Sequence, residues 1–117
     1  MYYFKNLRKD PVTIYAPNNA LTFPPSNLRT HIEWTPGNKP ERTETEDGKP
    51  VTLESRMPLL GLDFPEPDPK VLYIVDHQIF RAAINTERST ADLLLPEMAV
   101  RNEYGEFIGF KKLRRLG

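Results

Sequence analysis

Two histidines, His31 and His77, are the only side chains of this 117-residue chain that ordinarily change charge near neutral pH. His77 directly follows Asp76, and a carboxylate beside an imidazole is the least that a general base requires. Neither histidine belongs to a larger constellation. No G-x-S-x-G, no H-E-x-x-H and no glycine-rich phosphate loop occurs, and the histidines do not share the helical spacing of a metal pair. With no cysteine, disulfides, thiolate catalysis and cysteine-ligated zinc are excluded. The expectation is therefore no catalytic set, no metal and no cofactor, with a small nucleotide hydrolase using Asp76 and His77 as the minor enzymatic reading.

Anion binding has broader support. A helix start at His77 leaves backbone N–H groups free at the positive end of the helix dipole. Arg81, Arg88, Ser89, Thr90 and Arg101 lie on or after that helix, and a guanidinium offers a planar fork suited to phosphate. Tyr104, in a turn, can stack on a base or a partner, as can Tyr2 or Tyr3. His77, Arg81, Arg88, Ser89, Thr90, Arg101 and Tyr104 are thus the candidate ligand-binding residues. Two considerations oppose them. Asp76, as a cap, competes for the same N–H donors, and each arginine has an acidic neighbour in Glu87, Asp92 or Glu103, so an ion pair is the simpler fate of any one of them.

The elements that must position these residues follow from apolar patterning. Val71–Val75 is a continuous apolar run, as in a strand covered on both faces. Asp76 then caps a helix over 77–85, with Ile79, Phe80, Ala83 and Ile84 on one apolar face and Gln78, Arg81 and Ala82 on the rest. A short strand over 91–95 is stopped by Pro96, and two strands flank the turn Asn102–Gly105. Upstream, Tyr2–Phe4, Val12–Tyr15 and Leu21–Phe23 read as short strands, and Arg29–Thr35 alternates as a half-buried one with His31 outward. Arg42–Glu46 and Val51–Ser55 flank Asp47-Gly48, the signature of a type I′ hairpin, here exposed. Leu59–Lys70 reads as a linker. Its alternating Pro65, Pro67 and Pro69 favour polyproline geometry, and Leu59, Leu60, Leu62 and Phe64 pin it to the core. Phe4, Trp34, Tyr73 and Phe80 are assigned to the core.

Length and composition bound the whole. The chain is of one-domain size, with a proline-rich, mostly β part over 1–70 and a β-α-β-hairpin part over 71–117. Eleven of its twelve prolines precede residue 70, which disfavours long helices there. The expected fold is α+β: short, mainly antiparallel strands in a curled sheet or partly open barrel, with one principal short helix. Sixteen Lys/Arg balance sixteen Asp/Glu, which argues against coating nucleic acid, and the basic run Lys111, Lys112, Arg114, Arg115 is too small a patch to reverse that. The charge is uneven, however: residues 41–70 carry eight acids against four bases. No apolar run is long enough for a membrane helix, and no signal-peptide core follows the N-terminus, so a cytoplasmic protein is expected.

NLRKDPVTIYAP near the N-terminus, the PPS at 24–26, YIV before a capped helix, LLLP and VRNEYGEFIGFKKL together resemble a family of small proteins from phages, prophages and bacteria. The family pattern has a Ser-type cap where Asp76 stands, Asp where Glu97 stands and often Cys where Phe110 stands, so no thiol role applies here. The resemblance implies a phage-encoded protein in the host cytoplasm and brings no catalytic residue. With the absence of a catalytic set, it leads to the expectation of a non-catalytic binding protein, a homo-oligomer acting on a host component. Such a protein sequesters a nucleotide-like signal or blocks a host defence protein. The alternative is an accessory of particle structure or assembly that uses exposed strand edges and the proline-rich segment.

Overall fold

The computed structural model describes residues 1–28, 30–37 and 39–116. Among these residues ten strands and one helix follow one another as β1 (Tyr3–Asn6), β2 (Val12–Tyr15), β3 (Ala20–Phe23), β4 (Ile32–Pro36), β5 (Glu41–Glu44), β6 (Pro50–Leu53), β7 (Arg56–Leu60), β8 (Val71–Ile74), α1 (His77–Asn85), β9 (Leu93–Arg101) and β10 (Phe107–Arg115). The fold is α+β and mostly strand, as its patterning predicts. Arg29, where the alternating segment begins, lies outside the described residues.

Six strands form one sheet in the order β1-β8-β9-β10-β2-β3. β1 and β9 flank β8 in parallel and β10 runs parallel to β2, while the β9–β10 and β2–β3 pairs are antiparallel. The parallel pairings join segments distant in sequence, and no local signal announces them. The sheet curls until its two outer strands touch through the isolated bridge Asn6–Pro25, without closing into a barrel. Asn6, almost fully buried, ties that junction. Its amide donates to the carbonyls of Asp10 (2.9 Å) and Phe23 (3.0 Å), and its side-chain oxygen accepts from the Arg8 N–H at 2.9 Å.

β8 is apolar throughout because both of its faces are covered. Val71, Tyr73 and Val75 join Leu93, Leu95, Ile79 and Ala83 under the helix, while Leu72 and Ile74 join Val12, Ile14 and Leu94 inside the curl. The Asp76 carboxylate accepts from the Ile79 N–H at 2.8 Å and starts the helix as expected. The buried face of the helix is Ile79, Ala82 and Ala83; Ala82 is inside and Ile84 is exposed, the reverse of the sequence assignment. The reason is that the helix is covered on a second side by β7, where Asn85 donates to the Pro58 carbonyl at 2.9 Å, and alanine lets that strand approach. The helix ends in a Schellman motif: the Arg88 N–H reaches the Ala83 carbonyl, the Glu87 N–H reaches Ile84, and Glu87 takes φ 58°.

β9 does not stop at Pro96. β8 pairs with β9 only as far as Ile74–Leu94, after which the chain leaves for the helix. Beyond that point β9 pairs in the sheet with β10, so a proline without an N–H is accommodated. The Asp47-Gly48 turn is also not type I′. Gly48 (φ 82°) has positive φ and Asp47 does not, and the Gly48 N–H bonds the Thr45 carbonyl. This is a type I turn closed by a left-handed glycine, a geometry repeated at Asn102–Gly105.

Candidate functional site

The residues singled out by sequence fall at several places and do not converge. His77 and Arg81 are exposed on α1, and no hydrogen bond or ion pair joins His77 to Asp76 among the described residues. Arg88 lies past the other end of the helix, whose nine residues span roughly 13 Å. It is committed to the fold. Its guanidinium makes a two-pronged pair with Asp92 (2.8 and 2.9 Å), donates to the carbonyls of Pro65 (3.0 Å) and Ser89 (2.7 Å), and lies 4.8 Å from the Phe64 ring centre. The Ser89 hydroxyl accepts from the Ala91 N–H, and the Thr90 hydroxyl donates to the Leu116 carbonyl. Arg101 and Tyr104 sit at the β9–β10 turn, where Arg101 donates to the Gly105 carbonyl and Tyr104 is 78% exposed.

At the start of α1 lies a cleft of about 500 Å³, walled by Arg8, Lys9, His31, Trp34, Asp76 and Gln78 among others. Its cations are offset by carboxylates. Asp10 and Asp76 line the same space, and His31 Nδ1 lies 2.9 Å from an oxygen of Asp63. Arg8 also rests against the Phe110 ring at 5.6 Å. Among the described residues, no group of three or more His, Asp or Glu side chains is arranged to hold a metal ion.

The most distinctive surface is a ribbon. β4 pairs with β7 from Ile32–Leu60 to Pro36–Arg56, the Gly37 N–H bonds the Ser55 carbonyl at 3.0 Å, and β5 pairs with β6 from Glu41–Leu53 to Glu44–Pro50. The two pairs are nested halves of one long hairpin with a register shift between them. Its base is anchored: Ile32 and Leu60 pack on the core under the helix, and Pro58 is fully buried. Among the described residues its outer half pairs only with itself, and every residue of β5 and β6 is exposed.

Trp34, expected in the core, is 47% exposed on this ribbon, and Phe4, likewise expected inside, is exposed beside the sheet junction. Trp34 lines a groove of about 590 Å³ with Pro36, Pro40 and Arg56. Leu53 is 50% exposed and Val51 and Met57 are also in solvent. The cross-strand pairs place Glu41, Thr43, Val51 and Leu53 on one face. The distal hairpin was legible from Asp-Gly; its extension through β4 and β7, and the exposure of Trp34, were not, because alternation marks two faces without saying which one is covered.

No family model, no characterised protein and no solved structure matches the chain. Among the described residues, no helix is long and apolar enough to cross a membrane.

Proposed function

We propose that this is a non-catalytic binding protein that works by protein contact, with the ribbon from β4 to β7 as its recognition element. The observation that supports it is the set of large apolar side chains, Trp34, Val51, Leu53 and Met57, held in solvent on a two-stranded ribbon whose outer half has no core behind it. A bare hairpin is marginally stable in water, and exposed apolar side chains on a projecting element are the usual material of a protein interface. Both protein-contact readings of the sequence, blocking a host protein and assisting particle assembly, use such an element, and the family resemblance favours a phage setting for either. A photo-crosslinking residue at Val51 tests the proposal. Crosslinks to protein at position 51 and none at Tyr104 are the expected result; equal labelling at both positions removes the ribbon from its role.

A second reading, sequestration of a nucleotide-like anion, draws on the cleft at the start of α1, where Arg8, Lys9 and free helix N–H groups meet an exposed Trp34. The carboxylates of Asp10 and Asp76 in the same cleft weaken it. A nucleotide-induced rise in melting temperature that is lost in Lys9→Ala would favour this reading over the first.

A further inference from the structure

We propose that the partner of the ribbon is a second copy of this chain, whose basic strand β10 receives it head to tail. The inference rests on the ribbon being the recognition element and names its occupant.

Charge complementarity carries the argument. Residues 41–54 hold five carboxylates, Glu41, Glu44, Glu46, Asp47 and Glu54, against Arg42 and Lys49, a net of −3. β10 holds Lys111, Lys112, Arg114 and Arg115 and no acid. Its one acidic cross-strand neighbour is Glu97, 2.8 Å from Arg114 and 3.9 Å from Lys112, so the strand and this neighbour keep a net of +3, with Lys112 and Arg114 on one face and Lys111 and Arg115, which also donates to the Ala91 carbonyl, on the other. The two elements therefore carry opposite net charges of equal magnitude.

Both elements also carry exposed apolar side chains. Val51 and Leu53 share a ribbon face with Glu41, and Met98, 55% exposed, lies in β9 between Glu97 and Ala99, which pair with Lys112 and Phe110 of β10. Within one molecule the distal ribbon pairs with itself and β10 pairs with β9 and β2. Because the two patches differ, contact between copies is heterologous. Each copy offers one donor and one acceptor surface, and the assembly closes as a ring or continues as a filament. Exposed ion pairs are individually weak and screened by salt, so several must act together and the association must be steeply salt-dependent.

Sedimentation velocity on the full chain tests this, with two charge-reversal variants: Glu41→Lys/Glu44→Lys/Glu46→Lys in the ribbon and Lys111→Glu/Lys112→Glu in β10. All five positions are exposed, and circular dichroism verifies folding. The wild type is expected to associate at about 50 mM salt and to weaken about tenfold or more by about 500 mM. Each variant alone is expected to be monomeric. Mixed, they are expected to associate again, because the unaltered ribbon of one meets the unaltered β10 of the other and the two reversed patches are also opposite in sign; a mixture that stays monomeric overturns the proposal. A wild type that is monomeric at low salt, or variants that self-associate as the wild type does, overturns the proposal. If the wild type is monomeric and the Val51 crosslinker still captures a different protein, the ribbon reading survives and self-association alone is lost. If it captures nothing, both fall.

Discussion

Arg88 illustrates how one side chain is withdrawn from ligand chemistry. Its guanidinium reaches Asp92, Pro65 and Phe64 at once, and only 11% of the side chain is accessible. Removing one partner of a buried pair leaves the other charge desolvated without compensation, at roughly 3–5 kcal/mol. Arg88→Ala is therefore expected to lose about that much stability in a urea titration and to open the 61–69 segment to proteolysis. Tyr73 packs beside this pair. Burial, and then the Asp92 carboxylate, hold its phenol above the ordinary value of 10.0. The folded state thus disfavours tyrosinate. The stability contributed by the neutral phenol is complete below the unfolded pKa and is lost as pH rises from about 10 toward the higher folded value. Urea melts from about pH 8 to 11 should show a steeper alkaline decline for the wild type than for Tyr73→Phe.

At the scale of elements, Gly109 sits where β10 crosses β2. A Cβ there would stand 2.6 Å from the Thr13 carbonyl oxygen and 2.7 Å from the Tyr15 ring. The ring can turn away, but a backbone oxygen in the sheet cannot. Gly109→Ala is expected to cost about 1–3 kcal/mol by overpacking, read as a lowered urea midpoint. Much of the element list was legible, because β8, the Asp76 cap and the Asp-Gly hairpin are local events written in adjacent residues. What stayed hidden was non-local: nothing near Gly109 in sequence announces its approach to Thr13. Pro96 read as a stop because only the departure of β8 into α1 leaves room for a proline in β9. The candidate site divided the same way. The sequence located the cations after α1 and offered Asp92 as an ion-pair partner, but not that Pro65 and Phe64 would also close around Arg88, and it located the hairpin but not the solvent-facing Trp34.

The whole molecule is extended. Its radius of gyration is 18.1 Å, against roughly 13 Å for a compact chain of this length, and its longest axis spans 57 Å against 23 Å for the shortest. The ribbon supplies a natural cause, since strands rise about 3.3 Å per residue and β5 and β6 lie beyond the anchored base. Stability must then be unevenly distributed. Amides of β8, α1 and β9 are enclosed by two apolar clusters, and they open only when much of the fold opens. Amides of β5 and β6 are held by a two-stranded ladder in solvent. Hydrogen exchange on the isolated protein at high salt is expected to be fast over 41–53 and slowest over 71–83 and 93–95. At low salt and high protein concentration, protection should rise over 41–53 and 111–115 together, because docking of the ribbon on β10 buries both at once. Protection that rises in one segment without the other would mean that the two surfaces do not meet.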